Sequence, residues 1–204
     1  LPQHLKKIGV YDEKEHQKLE REKHLEMRME QALKNGEFVP YLQPKYELTH
    51  ETIAGAEALV RWVSPEEGMI FPGEFIPLFE KNGFIVELDL YMFEQVCKMI
   101  ESWHKNGYRI IPVSVNMSRG HFLVPNFFDR YKEILERYDV PKGSIEIELT
   151  ESLFLNEIST MTDLVNKIHE VGLRCSIDDF GSGYSSLNML KDIKVDALKL
   201  DRVF

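Results

Sequence analysis

Long apolar segments are missing from this sequence. No run of apolar residues approaches the ~20 that a membrane-spanning helix needs, and residues 1–7 do not lead into the apolar core of a signal peptide. We therefore expect neither membrane insertion nor export. With 43% hydrophobic and 29% charged residues among 204, the chain can still bury a core, which indicates a soluble globular protein rather than a disordered one.

Cysteine is scarce as well. Cys97 and Cys175 lie far apart and form no CxxC pair, so neither a disulfide framework nor a zinc site is predicted. Reduced thiols are typical of the cytoplasm, and we expect that location. A longer parent protein could still be tethered to a membrane through other regions.

Positive charge is in deficit. The chain has 25 Lys and Arg against 34 Asp and Glu, a formal net charge of −9. Proteins that bind nucleic-acid polymers need a basic surface, so that class is excluded. A small phosphate ligand is still compatible with the charge, because metal ions or a few placed Arg and Lys offset the repulsion.

The predicted elements indicate an α/β fold. A charged amphipathic helix comes first, from Asp12 to about Lys34, and is either a cover for the following domain or a linker from an upstream one. Strands are then predicted at 38–48, 52–62, 109–117, 144–150, 174–180 and 197–203, and helices at 72–81, 88–106, 121–138, 157–171 and 185–192. The short 49–51 connection allows an antiparallel first pair, whereas strands separated by single helices imply a parallel sheet.

Alternation within the strands favours a barrel over an open doubly wound sheet. Apolar and polar residues alternate in 113–116, 145–149, 175–178 and 198–201. Strands covered by helices on both faces would instead be continuously apolar. We therefore predict a (β/α) barrel, in which inward residues near the C-terminal rim open into an active site.

The inward polar residues of such a barrel would meet at one mouth. That group is Glu57, Asn116, Glu148, Asp178 and Lys199, with Asp179 and Glu151 just above it in the following loops. Crowded carboxylates need positive charge among them, and oxygen donors without His or Cys favour Mg²⁺ or Mn²⁺ over zinc or copper. The Asp178-Asp179 pair could serve two ions.

Simpler interpretations of these residues remain. A single strand-end carboxylate is usually solvated or salt-bridged, and Asn116 could cap the helix after it. Lys199 is either an internal counter-ion or a catalytic group that orients water. The glycine- and serine-rich segment 180–186 is either a strand-to-helix turn or a mobile loop that Glu151 could anchor. Arg61 could pair with a substrate phosphate.

Several separated motifs occur in one order between about Glu26 and Phe204. They are Tyr41-Leu42-Gln43-Pro44, Gly55-Ala56-Glu57-Ala58-Leu59-Val60-Arg61-Trp62, Phe75-Ile76-Pro77-Leu78, Ser114-Val115-Asn116-Met117-Ser118, Glu148-Leu149-Thr150-Glu151-Ser152, Asp178-Asp179-Phe180-Gly181 and Lys199-Leu200-Asp201. This set resembles the EAL domain, the bacterial cyclic di-GMP phosphodiesterase.

The resemblance implies a modified TIM barrel with an antiparallel first strand. It also implies two Mg²⁺ or Mn²⁺ ions that activate a water to open cyclic di-GMP to linear pGpG. By position, metal ligands would be Glu57, Asn116, Glu148 and Asp178, with Asp179 reaching the second metal. Lys199 would help position the water, Glu151 would tether the glycine loop, and Gln43 and Arg61 would contact the dinucleotide.

The resemblance also sets expectations for domain organisation. The family's barrel continues past the lysine-bearing strand with two more strand–helix units, which carry an E-G-V-E motif and a later glutamine, whereas this sequence ends at Phe204. We expect an EAL domain at 26–204 that is incomplete at its C-terminus and hydrolyses little substrate alone. It should either associate through the gap, for instance as a homodimer, or be a fragment of a longer protein in which later residues fill the gap. Residues 1–25 resemble a linker helix and the tail of an upstream GGDEF, or diguanylate cyclase, domain.

Two other functions stay open at this point. One is a catalytically inactive EAL module that acts as a cyclic di-GMP receptor or a protein-interaction domain. The other is a different metal-dependent barrel hydrolase acting on another phosphate ester. The retention of every recognisable metal position within the sequence favours the enzyme.

Overall fold

Helices and strands alternate along the chain in a computed structural model, which describes residues 13–154, 158–181 and 193–201. The elements are α1 (Glu13–Lys34), β1 (Phe38–Glu47), β2 (Thr52–Ser64), β3 (Gly68–Ile70), α2 (Pro72–Asn82), α3 (Ile85–Lys105), β4 (Val113–Met117), a 3-10 helix (Arg119–Leu123), α4 (Phe127–Leu135), β5 (Ile145–Thr150), α5 (Glu151–Phe154), α6 (Ile158–Glu170), β6 (Arg174–Phe180) and β7 (Ala197–Leu200). The predicted helix 185–192 lies outside the described residues.

All of the described strands form one mixed sheet. Its order is β1-β2-β4-β5-β6-β7, with the short β3 paired to β2. The pairs β1–β2 and β2–β3 are antiparallel, and the remaining neighbours are parallel. The α/β class and the antiparallel first strand are therefore confirmed.

The sheet is strongly curled. Lys199 on β7 hydrogen-bonds Glu57 on β2 with an Nζ–Oε2 distance of 3.0 Å. Four strand-to-strand steps separate β2 from β7, and in a flat sheet these would amount to roughly 19 Å. Side chains on the concave face of this curled sheet can therefore meet although their strands are not neighbours.

The apolar core lies between the convex face of the sheet and the helices. Alternation sends one set of side chains outward from each strand, where β-branched, aliphatic and aromatic residues are buried. An aromatic cluster joins β1, β2 and α2, with ring centroids between 4.9 and 6.1 Å apart: Phe38, Trp62, Phe75 and Phe79. This packing leaves the concave face to polar residues.

Helix α1 packs onto the domain through its C-terminal half. Leu25 and Ala32 are buried in the core, and the Arg28 guanidinium lies 5.8 Å from the centre of the Trp62 ring. Arg28 also donates a 2.8 Å hydrogen bond to the Ser64 hydroxyl. Part of α1 is therefore a cover for the following domain.

Among the helices of the described segments, none has both the length and the apolar character needed to cross a bilayer.

Two element predictions are only partly right. The strand predicted at 109–117 begins at Val113, as β4, because Pro112 cannot donate to a strand ladder. The helix predicted at 121–138 is instead the 3-10 helix and α4, because Pro125 disfavours helical backbone at Val124, which is extended, and Asn126 has a left-handed φ of 54°. The sequence also did not predict β3 or α5.

Candidate active site

Three carboxylates from three strands converge on the concave face. Glu57 comes from β2, Glu148 from β5 and Asp178 from β6, and one oxygen of each lies within 4.8 Å of the other two. Strand pairing sets this arrangement, because the parallel ladders place Asn116 beside Glu148 and Thr150 beside Asp178. These three residues, called here the carboxylate cluster, were all predicted as metal ligands.

Lys199 occupies the centre of the carboxylate cluster. Its Nζ donates to Glu148 Oε2 at 2.8 Å, to Asp178 Oδ2 at 2.8 Å and to Glu57 Oε2 at 3.0 Å. A lysine flanked by Leu198 and Leu200 points inward by strand alternation. Its ammonium therefore contacts all three carboxylates, as the counter-ion interpretation of Lys199 requires.

A second lysine, which the sequence interpretation missed, lies against the cluster. Lys45 on β1 donates from Nζ to Glu148 Oε1 at 2.8 Å and to Ser114 Oγ at 2.8 Å, with Glu146 Oε1 at 3.4 Å. Ser176 also donates to Glu146 Oε1, at 2.8 Å. Strand alternation could have indicated this contact. Lys45 lies two residues after Gln43 and so on the same face of β1, and Glu146 lies two residues before Glu148 and so on the same face of β5.

The two ammonium groups set the charge state of the buried carboxylate. Burial alone would raise the pKa of Glu148, whose side chain is fully buried, but hydrogen bonds from Lys199 and Lys45 outweigh it and lower that pKa. Burial likewise acts to lower the pKa of Lys199, and the bonds to Asp178, Glu148 and Glu57 raise it above its usual range. Both groups are therefore charged at neutral pH.

Asn116 and Asp179 flank the cluster. The Asn116 amide nitrogen lies 3.3 Å from Glu57 Oε1, which leaves the amide oxygen as a further donor atom for a cation. Asp179 has a φ of 55°, and its backbone N–H donates to Asp178 Oδ1 at 2.9 Å. Burial, together with the charges of Asp178 and Asp201, raises the pKa of the Asp179 carboxyl, as expected of crowded carboxylates.

Glu151 connects two strand ends above the cluster. It begins α5 directly after β5, is 2% exposed, and accepts a 2.9 Å hydrogen bond at Oε2 from the N–H of Gly181. Gly181 is the first residue after β6 and has a φ of 95°. The contact therefore holds the beginning of the glycine- and serine-rich segment; residues 182–192 lie outside the described part of the chain.

The two predicted substrate contacts lie on the β1–β2 hairpin. Gln43 is paired with Glu57 and is exposed. Arg61 lies over the Tyr41 ring at 5.8 Å and lines a cleft of about 280 Å³ that also reaches Asn116. An adjoining cleft of about 310 Å³ shares Ser118 and Thr150 with it, among others, and extends to Asp179 and Glu151. Together these clefts give a ligand access to the rim of the sheet.

The donor set fits a hard divalent cation. All of the converging atoms are oxygens, and three of them already surround one positive charge, the Lys199 ammonium. Carboxylate and amide oxygens suit Mg²⁺ or Mn²⁺, whereas zinc and copper prefer nitrogen or sulfur. The residues present therefore fit the ion that the sequence led us to expect.

Comparison with known proteins shows which family this chain resembles. Residues 26–204 match the family model described as EAL domain. The chain is 35% identical over 179 residues to the signaling protein YkoW of Bacillus subtilis, covering 88% of this chain and 22% of YkoW. It is 34% identical over 176 residues to the bifunctional diguanylate cyclase/cyclic di-GMP phosphodiesterase MucR of Pseudomonas aeruginosa, covering 86% and 26%.

A solved structure of PaMucR phosphodiesterase in complex with c-di-GMP has the same fold. Its TM-score to this chain is 0.81 at 33% identity, and the match covers 88% of this chain and 73% of that one. The predicted barrel-type α/β fold is thereby confirmed. The chain spans about a quarter of the length of the two curated relatives.

Proposed function

The chain belongs to the EAL domain family, and we propose that it hydrolyses cyclic di-GMP to linear pGpG in a reaction that requires Mg²⁺ or Mn²⁺. MucR is described as a cyclic di-GMP phosphodiesterase, and the related PaMucR structure holds c-di-GMP. Within this chain, the observation that carries the proposal is the convergence of Glu57, Glu148 and Asp178 on a single positive charge.

The roles of the residues follow from their positions. Glu57, Asn116, Glu148 and Asp178 would hold one ion, and Asp179, beside Asp178, would reach a second. When bound, such ions polarise a phosphate and lower the pKa of a water molecule. In the proposed hydrolysis, the water oxygen would bond to phosphorus as one ester P–O bond breaks, and the proton released by the water would balance the one taken up by the departing sugar oxygen.

The remaining side chains bind and orient the reactants. Lys199, at the centre of the carboxylate cluster, would keep positive charge beside the attacking water and orient it. Arg61 would pair with a phosphate of the dinucleotide, since it lines a cleft at the rim, and Gln43 would contact the same ligand. Glu151 would tether the glycine-rich loop through Gly181.

The domain organisation and the partners are part of the same proposal. We propose that residues 26–204 form the EAL domain and that 1–25 connect it to an upstream domain, for instance a GGDEF domain. MucR, which is longer than this chain, is described as a bifunctional diguanylate cyclase and cyclic di-GMP phosphodiesterase. Cyclic di-GMP would then be the small-molecule partner, in bacterial second-messenger signalling.

An assay with three substrates tests the function. Cyclic di-GMP, linear pGpG and bis(p-nitrophenyl) phosphate would each be incubated with the protein and Mg²⁺ or Mn²⁺, and the products separated by liquid chromatography. We expect cyclic di-GMP to be the only one of the three that is consumed, slowly by the 204-residue chain alone, with pGpG as product and no turnover in EDTA. Binding of cyclic di-GMP without turnover would instead indicate a receptor, and comparable cleavage of the synthetic ester would indicate another phosphate-ester hydrolase.

A further inference from the structure

The two oxygens of Glu148 have different partners. Oε2 faces Lys199 and the other carboxylates of the cluster, and Oε1 accepts a 2.8 Å hydrogen bond from Lys45 on the opposite side. The side chain of Glu148 is fully buried. Solvent therefore does not compete for either oxygen, and the lysine contact fixes how the carboxylate is turned.

Lys45 is itself held in place. Its ammonium donates to Ser114 Oγ at 2.8 Å and lies 3.4 Å from Glu146 Oε1. Glu146 is fixed in turn by Ser176, which donates to the same oxygen at 2.8 Å. Two strands, β4 and β5, thus supply three acceptors to one ammonium, so Lys45 can keep Oε1 of Glu148 occupied whatever binds at Oε2.

A carboxylate with one engaged oxygen offers a cation a single donor atom. Mg²⁺ demands near-ideal octahedral geometry at short distances, for which single-oxygen carboxylates are suitable. Ca²⁺ takes six to eight ligands and often binds both oxygens of one carboxylate. The orientation of Glu148 therefore bears directly on which divalent ion the cluster prefers.

We propose that Lys45 is a positioning residue that makes Glu148 a single-oxygen ligand and thereby selects Mg²⁺ or Mn²⁺ over Ca²⁺. This inference rests on the proposed function, because it presumes a divalent cation at the carboxylate cluster. Lys45 touches neither substrate nor the attacking water in this proposal; it acts only through Glu148.

Metal affinity without substrate tests the role of Lys45. Electron paramagnetic resonance would measure the binding of Mn²⁺ to the unsubstituted 204-residue chain and to the variants Lys45→Met and Lys45→Arg. Displacement of the bound Mn²⁺ by added Mg²⁺ or Ca²⁺ would then give the dissociation constants of those two ions. Loss of the lysine charge affects two doubly charged ions alike, so the ratio of the Ca²⁺ and Mg²⁺ dissociation constants isolates the geometric effect. In Lys45→Met we expect the ratio to shift toward Ca²⁺ by roughly 10-fold, the lower end of the change in metal affinity that follows removal of a group that orients a metal ligand.

The conservative variant and the folding control complete the design. Lys45→Arg keeps a charged donor for Oε1 and should keep the ratio of the unsubstituted chain. If Lys45→Met does not fold, as judged by circular dichroism, the double variant Lys45→Met/Glu146→Gln replaces it. The second substitution removes the charge of Glu146, which has lost its contact with the Lys45 ammonium, and keeps a side-chain oxygen that accepts the hydrogen bond from Ser176. The same shift toward Ca²⁺ is expected there.

The outcomes separate this inference from the proposed function. If the unsubstituted chain binds no divalent ion, the metal centre and the proposed function are contradicted. If it binds Mn²⁺ and Mg²⁺ but the ratio in Lys45→Met, or in the double variant, stays unchanged, Lys45 does not select the ion and this inference is wrong. An equal shift in Lys45→Arg would also overturn it.

Discussion

At the scale of single residues, Glu148 has the most buried side chain of the carboxylate cluster. Its side chain is 0% exposed, against 17% for Glu57 and 22% for Asp178. An unpaired charge at such a position would be strongly unfavourable. Two lysines from the edge strands β1 and β7 offset that cost. The ionised form of Glu148 therefore contributes to the stability of the fold as well as to the site.

The pH dependence of stability should report this pairing. The pKa of Glu148 lies below its ordinary value of 4.5 in the folded chain. A lowered folded-state pKa adds stability above the unfolded-state pKa, and this contribution is lost as the pH falls through the folded-state value. We therefore expect Glu148→Gln to be less stable than the unsubstituted chain at neutral pH, and the difference to shrink below about pH 4.5.

Urea unfolding of both proteins from neutral pH into the acidic range measures that difference. Other carboxylates titrate in both proteins and largely cancel in the comparison. Lys199 does not interfere, because its pKa is raised and its contribution is lost only as the pH rises far above neutral. A difference in the free energy of unfolding that is constant with pH would contradict the lowered pKa of Glu148.

Loss of a single carboxylate from the cluster should abolish turnover. In a form of the protein that hydrolyses cyclic di-GMP, we expect Glu57→Ala and Asp178→Ala each to lower kcat by at least about 100-fold, as is typical when a group that stabilises transition-state charge is removed. The exposed Glu136 provides the matched control, since Glu136→Ala deletes the same charge away from the site. Undiminished hydrolysis by both cluster variants at saturating Mg²⁺ would refute the assignment of these residues.

At the scale of elements, the junction between β2 and β4 determines where Glu57 lies. The antiparallel hairpin meets the parallel strands through only two residue pairs, Ala56 with Val113 and Glu57 with Ser114. A 2.9 Å hydrogen bond from the Ala56 N–H to the Pro112 carbonyl completes the junction. Glu57 therefore depends on close approach of two backbones at this point.

Gly55 permits that close approach. A Cβ atom at this position would lie 2.9 Å from the Pro112 carbonyl oxygen, which is backbone and cannot turn aside. We expect Gly55→Ala to destabilise the chain by about 1–3 kcal/mol, the usual cost of overpacking, and to weaken Mn²⁺ binding because Glu57 shifts with β2.

Gly73→Ala in α2 is the control for Gly55→Ala, since a Cβ there meets nothing within 4 Å. Urea unfolding and Mn²⁺ titration of the two variants provide the comparison. If Gly55→Ala is as stable as Gly73→Ala and binds Mn²⁺ equally well, the junction does not position Glu57.

Sequence patterns predicted the elements whose signals are local. The strand 174–180 matches β6, and the helix 157–171 differs from α6 by one residue at each end, because alternation and helical periodicity are properties of short segments. The strand predicted at 109–117 began four residues too early, because Pro112 has no N–H to donate to a strand ladder. The short β3 depends on pairing with β2, which no local pattern reveals.

In the site, too, the sequence predicted the residues whose positions follow from local patterns and missed one that depends on the curl of the sheet. Glu57, Glu148, Asp178 and Lys199 were brought together correctly, because their strand-end positions and alternation point them inward. Lys45 was missed although it lies on the same strand face as Gln43. Its importance comes from the curl of the sheet, which brings β1 against β5 across two intervening strands, and curl is not readable from one strand.

At the scale of the whole molecule, the charges are unevenly distributed. The chain carries a net charge of −9. On the concave face of the sheet, Lys45 and Lys199 form ion pairs with four carboxylates, which are Glu57, Glu146, Glu148 and Asp178. The concave face therefore keeps an excess of negative charge at its centre. A divalent cation would reduce this excess, and it would also reconcile an acidic protein with a ligand that carries phosphates.

The edges of the sheet lead to a prediction about association. Among the described strands, β1 and β7 each have a neighbour on one side only. Leu198 and Leu200 on β7 are 40% and 61% exposed, and Tyr46 on β1 is 61% exposed. An edge strand with exposed apolar side chains pairs readily with another chain, so we expect the 204-residue chain to self-associate as its concentration rises.

Multi-angle light scattering over a wide range of chain concentration tests this association. We expect the mean mass to rise from that of one chain, 23.9 kDa, and we expect the variant Leu198→Lys/Leu200→Lys to remain monomeric, because charges on an edge strand oppose pairing. The two leucines flank the inward Lys199 in an alternating strand and so point away from the carboxylate cluster. The double variant should therefore still bind Mn²⁺, which separates loss of association from loss of folding. A constant monomer mass for the unsubstituted chain at every concentration would show that its edges do not mediate association.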